Sequence, residues 1–223
     1  MKHEYLKRKM FLDNLNWFDP SKSEGQFSIP CIKKVLACPN QLVRFPDAMR
    51  STYYAAGVHF FVDDYRIEPL WRNIEKYIPK LKKYSAVLSP DFSLFTDMPV
   101  AQQIWNVYRS RLMASVMQRM GIIVIPTVSW ADEKSFDFCF DGLEKNGNVA
   151  ISSVGTQRNT KDRKLFLKGL KQMITVLTPR SILIYGKLPE YDFGDLQIFH
   201  FPACKKNGEV LSYREKNNGW ARN

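Results

Sequence analysis

The feature that most constrains this chain is an alternation of short apolar runs with segments of helical period. The runs are Val43–Phe45, His59–Val62, Ala86–Leu88, Ile122–Val128, Val149–Ile151, Ile182–Ile184 and Leu196–Phe201. Between them lie an amphipathic stretch from Trp71 to Lys83 broken at Pro79, a long helical stretch from Pro99 to Met120, a short one from Phe136 to Leu143, and another from Asn159 to Leu177. Strands that alternate with helices build parallel sheets from β-α-β units, and strands apolar throughout are covered on both faces. The expected fold is therefore α/β, with a parallel sheet of six or seven strands alternating with helices. A TIM-type barrel, complete or not, fits this pattern, with an open parallel sheet as the alternative. The barrel is preferred because no G-x-G-x-x-G or G-x-x-x-x-G-K-[ST] turn follows a strand.

Three segments follow from this reading: an N-terminal arm over 1–30, one α/β domain over 31–202, and a basic C-terminal tail over 203–223. No apolar run reaches the roughly 20 residues of a membrane helix, and Asp13, Asn14 and Asn16 stand where a signal peptide needs an apolar stretch. A cytoplasmic protein without a membrane partner is expected. Four cysteines (Cys31, Cys38, Cys139, Cys204) form no C-x-x-C pair, and His3, His59 and His200 stand alone. Zinc and thiol chemistry is unsupported, so any metal would be a hard divalent ion such as magnesium on carboxylates.

In parallel sheets ligands bind at the carboxyl ends of the strands. Those ends read Asp63-Asp64, Ser89-Pro90-Asp91, Ser129-Trp130, Ser152-Ser153 and Tyr185-Gly186. Asp63, Asp64 and Asp91 are the candidate catalytic carboxyls, for metal binding or proton transfer. Adjacent Asp63 and Asp64 point to opposite sides of a strand, so one is free to pair with Arg66. Ser129, Trp130, Ser153 and Tyr185 are candidate ligand contacts. Arg111 falls on the apolar side of the long helix and needs a carboxylate or an anionic ligand as partner.

The net charge of +11 is unevenly distributed, and residues 157–187 carry eight basic side chains against one acidic. Lys161, Lys164, Lys168 and Lys171 fall opposite the apolar face of the last helix, a stripe able to follow a phosphate backbone.

The stretches Gly57-Val58-His59-Phe60-Phe61-Val62-Asp63-Asp64-Tyr65, Leu88-Ser89-Pro90-Asp91-Phe92-Ser93, Thr96-Asp97-Met98-Pro99, Tyr108-Arg109-Ser110-Arg111, Ile125-Pro126-Thr127-Val128-Ser129-Trp130 and Phe138-Cys139-Phe140-Asp141-Gly142 together resemble a bacterial and phage family known as domain of unknown function 4417, over about residues 28–202. The resemblance implies a phage, prophage or plasmid setting and assigns no activity. Two readings of function stand. One is a protein that binds or processes a phosphate-bearing ligand, nucleotide or nucleic acid, at the strand ends. The other is non-catalytic, either a nucleic-acid binder that maintains a mobile element or a phage inhibitor of a host protein.

Overall fold

The structure is a computed structural model that describes residues 13–203, 211–212 and 214–215. The basic residues Lys2, Lys7, Arg8 and Lys9, and most of the expected tail with Cys204, lie outside the described residues. Strands β1 (Ser23–Glu24) and β2 (Ile29–Pro30) form a small antiparallel pair. The main body runs β3 (Gln41–Arg44), α1 (Phe45–Ala48), β4 (Gly57–His59), α2 (Glu68–Arg72), α3 (Ile74–Leu81), β5 (Ala86–Leu88), α4 (Val100–Arg119), β6 (Val124–Ile125), β7 (Asn148–Ser152), α5 (Thr160–Leu177), β8 (Ser181–Tyr185) and β9 (Gln197–Phe201). Strands β10 (Leu211–Ser212) and β11 (Arg214–Glu215) complete it.

The fold is α/β with parallel strands in two sheets, four in the order β3-β4-β5-β6 and three in the order β9-β8-β7. This corrects the expectation of a single sheet of six or seven strands, and no TIM barrel is assigned. Pro126 interrupts the run from Ile122 to Val128, so only Val124–Ile125 enters the first sheet. The second sheet is reached through the Thr127↔Ala150 bridge, where the Val128 amide donates to Ala150 O (2.8 Å) and the Ala150 amide to Pro126 O (2.7 Å). β10 lies antiparallel on β3 and β11 antiparallel on β9.

Side chains alternate along each strand, and the alternation divides the core. Val43, Val58, Val87, Val124, Val149, Ile151, Ile182 and Ile184 join the helices in the larger apolar cluster. Leu42, Ala86, Leu88, Ile125, Ala150, Leu183, Tyr185, Phe199 and Phe201 form a second one on the other strand face. Both faces are buried, which is why the strands read as continuous apolar runs.

Several local expectations shift. The stretch from Trp71 to Lys83 is broken at Asn73, not at Pro79. Asn73 leaves the helical region and its side chain caps α3 by accepting from the Lys76 amide (3.2 Å), while Pro79 sits within α3. Phe136–Leu143 is not a helix, since a 3-10 turn over Glu133–Asp137 gives way to turns. The long helix is begun by Pro99, and Asp97 ahead of it is exposed. The described part of the arm docks on the body: Asn14 Nδ2 donates to Trp71 O (2.8 Å), and Phe18 packs on Tyr108 at 5.9 Å.

His59 is completely buried on β4, packed against Tyr185 (4.6 Å between centroids) and Phe61 (5.5 Å). Its Nδ1 accepts from the Phe61 amide (3.3 Å). Burial, aided by the charge of Arg44, pushes its pKa down to about 3. The unfolded chain therefore binds a proton here that the fold excludes, and stability falls as pH drops from the ordinary histidine range toward 3. His59→Leu should flatten the fall in melting temperature between about pH 6.5 and pH 4; an unchanged slope would show that His59 is protonated in the fold.

Candidate functional site

A cavity of about 610 Å³ opens at the carboxyl ends of β5, β6 and β7 and reaches the first turns of α5. The β5 loop contributes Asp91, Ser93, Phe95 and Asp97; the β6 end gives Val128, Ser129 and Trp130; the β7 loop gives Ser152, Val154, Gly155 and Thr156. Arg158, Asp162, Leu165 and Phe166 close the α5 side. Gly155 makes this last turn with φ +83° and has open space where a side chain would stand. Trp130 packs on Phe166 at 5.4 Å and presses its indole onto α5 where only Gly169 fits, since a Cβ there would lie 2.1 Å from Nε1.

Asp91 is the chemically distinctive group. Burial pushes its carboxyl up to about 7, the neighbouring charge of Asp64 adds to this, and a hydrogen bond from Ser129 and the charge of Arg111 oppose it. A carboxyl poised there exchanges protons near neutral pH. Asp64 does not converge with it on a ligand. Its oxygens accept from the Ser93 amide (3.1 and 3.2 Å) and hydroxyl (2.8 Å), which fixes the loop beyond Asp91. Asp63 is exposed and pairs with Arg66 at 3.8 Å. The three aspartates therefore form no common cluster, and among the described residues no group of three or more His, Cys, Asp or Glu side chains is placed to hold a metal.

The β5 loop is held by one face of α4. Gln103 Nε2 donates to Phe95 O (3.1 Å) and Met98 O (2.9 Å), Asn106 Nδ2 to Ser93 O (2.7 Å), and Ser110 Oγ to Pro90 O (2.6 Å). Next on the helix, Arg111 is 2% exposed and donates to Thr127 O (3.0 Å), Cys139 O (3.0 Å) and Asp141 O (3.2 Å). Its guanidinium is engaged by backbone carbonyls, not by a carboxylate or an open ligand site. It ties the end of β6 to the 139–141 segment. Arg109, also buried, pairs with Glu68 and lies 3.8 Å over the Phe92 ring.

Of the other predicted contacts, Ser129 and Trp130 line the cavity. Ser153 turns away: it is 1% exposed and its hydroxyl donates to Lys187 O (2.6 Å), while the preceding Ser152 faces the cavity. Tyr185 points into the inner cluster against His59 and Phe61. Lys161, Lys164, Lys168 and Lys171 are all exposed on α5, and Lys168 pairs with Glu133. Gln103, Asn106 and Ser110, which position the loop, are polar residues at helical spacing that the sequence reading left unassigned. Their spacing was the available signal.

The profile of the family described as domain of unknown function (DUF4417) matches residues 21–202. The chain belongs to the DUF4417 family. Similar proteins include the Gene 1 protein of Mycobacterium phage L5, 42% identical over 196 residues, covering 86% of this chain and 85% of that protein. The Gene 1 protein of Mycobacterium phage D29 is 41% identical over 179 residues. That match covers 78% of this DUF4417 chain and 65% of the D29 protein, so the chain spans less than two thirds of that relative's length. No solved structure matches. No helix among the described residues is long and apolar enough to cross a membrane.

The raised carboxyl of Asp91 has a thermodynamic signature. The native state holds a proton between the ordinary aspartate range near 4 and about 7 that the unfolded chain has released. Stability from this group is therefore present below pH 4 and lost as pH rises through 7. Asp91→Asn should raise the melting temperature by a few degrees at pH 8, and this advantage should vanish near pH 4. A variant less stable than the parent at pH 8 would show that the Asp91 carboxylate is stabilised in the fold.

Proposed function

We propose that the strand-end cavity binds, and through Asp91 processes by proton transfer, a phosphate-bearing ligand: a nucleotide or a nucleic acid. The observation that carries this reading is Asp91 itself, a carboxyl held at about 7 with Ser129 beside it, facing a cavity of about 610 Å³. The volume falls within the roughly 300–1,000 Å³ of small-molecule sites. Phe95 and Trp130 offer faces for a planar base, Asp91 and Ser129 offer acceptors and donors for its edge, and Arg158 offers a cation for phosphate. A divalent ion such as magnesium would arrive with the ligand's phosphates, since such ions are often held by one or two carboxylates plus substrate.

A barrel-like closure of the two sheets belongs to this reading. It is supported by the inner cluster, which draws residues from β3 and from β5 through β9, with Phe61 beyond β4 packed against it, and by β10 and β11, which pair with β3 and β9 respectively. A ring of strands would gather the strand-end loops at one mouth.

The second reading is a nucleic-acid binder without catalysis, favoured by the four exposed lysines on one side of α5. The relatives are phage proteins named only as gene products, and they favour neither reading.

Thermal unfolding in the presence of nucleoside 5′-mono- and diphosphates tests the pocket. At 100 times its Kd a nucleotide should add about 2.7 kcal/mol of stability. The shift should be lost in Phe95→Ala. Absence of any shift across the panel would overturn the nucleotide reading.

A further inference from the structure

We infer that the ligand is a single-stranded nucleic acid, with one nucleotide's base in the cavity and the flanking backbone along the lysine face of α5. The inference rests on the nucleotide reading of the cavity and goes beyond it by choosing a strand over a free nucleotide.

Charge is segregated at this site. Inside the cavity stand Asp91, Asp97 and Asp162 against the single Arg158. A mononucleotide held wholly inside would set its phosphate among three carboxyl groups. A base carries no such penalty there, because its N–H donors match carboxyl and hydroxyl acceptors. The favourable arrangement puts the base inside and the phosphates outside.

The outside is suited to phosphates. Leu165 lines the cavity. Lys161 stands four residues before it and Lys168 three after, so both neighbour it on the helix surface. Lys164 and Lys171 extend the same row through steps of three or four residues. From Lys161 to Lys171 the helix rises about 15 Å, room for about four phosphates at the duplex-like spacing of near 3.4 Å per strand. The Lys168–Glu133 pair is exposed on both sides, 54% and 64%, and yields readily to a polyanion.

The rim supplies the third element. Phe95 is 59% and Val154 52% exposed, and both border the cavity. Large apolar side chains left in water at a pocket mouth gain from covering a planar ring. Aromatic faces of this kind stack any base, while a positive groove tracks the backbone.

The test measures binding of a mixed-sequence single-stranded hexamer, as DNA and as RNA, beside nucleoside 5′-monophosphates at low and moderate salt. The hexamer should bind at least tenfold more tightly than the best monophosphate, with affinity that falls steeply as salt rises. In Lys161→Glu/Lys164→Glu/Lys171→Glu the preference for the hexamer should collapse toward one. Phe95→Ala should weaken both probes. Equal affinity for hexamer and monophosphate would leave the nucleotide pocket standing and overturn the strand. Hexamer binding that is salt-sensitive but indifferent to Phe95→Ala would also overturn the inference, since no base would then enter the cavity. Binding of neither probe would overturn the inference and the nucleotide reading together.

Discussion

A row of polar side chains on α4 holds the site together. Gln103, Asn106 and Ser110 donate to the carbonyls of the β5 loop, and Arg111 donates to three carbonyls beyond β6 and around residue 140. Buried carbonyl oxygens need partners, and a buried guanidinium is costly unless its donors are used. Each demand answers the other here. The loops that follow β5 and β6 are fixed by the same helix, so Asp91 and Ser129 meet through a shared support. Asp64 adds a second brace by gripping Ser93.

That arrangement has an electrostatic consequence. Asp91 sits near one fixed negative charge, Asp64, and near one fixed cation, Arg111, whose donors are engaged by backbone carbonyls. Burial then outweighs the favourable contacts, and the carboxyl keeps its proton to about neutral pH. A group that costs stability at pH 8 and is exposed to a cavity is the pattern of a functional site. Four exposed lysines lie elsewhere, on the outer side of α5. Acidic side chains outnumber the cation Arg158 in the cavity lining, and lysines lie along its flank.

Much of this was legible in the sequence, and its limits have physical causes. The strand-end rule brought Asp91, Ser129 and Trp130 to one mouth, because β-α-β alternation fixes which end of each strand carries the loops. It misassigned Ser153 by one residue. Successive residues at a strand end face opposite sides, so the cavity receives Ser152 while Ser153 caps the loop over Lys187. Tyr185 went inward for the same reason: a strand apolar on both faces hides which face is which. Asp97 stands just ahead of Pro99, where α4 begins, and so lies on the cavity wall. The helical spacing of Gln103, Asn106 and Ser110 was present in the sequence, but it reads as an anchor only once the adjoining loop is known. The split into two sheets turns on Pro126, whose effect on pairing depends on partners distant in sequence.

The central claim is that burial and a neighbouring aspartate hold the Asp91 carboxyl at neutral pH within the strand-end cavity. Carbon-detected NMR titration of the aspartate carboxyls, with Asp91 assigned by Asp91→Asn, measures this directly. The account predicts a midpoint near 7 for Asp91 and a lower one in Asp64→Asn. A midpoint in the ordinary aspartate range, about 4, would contradict it.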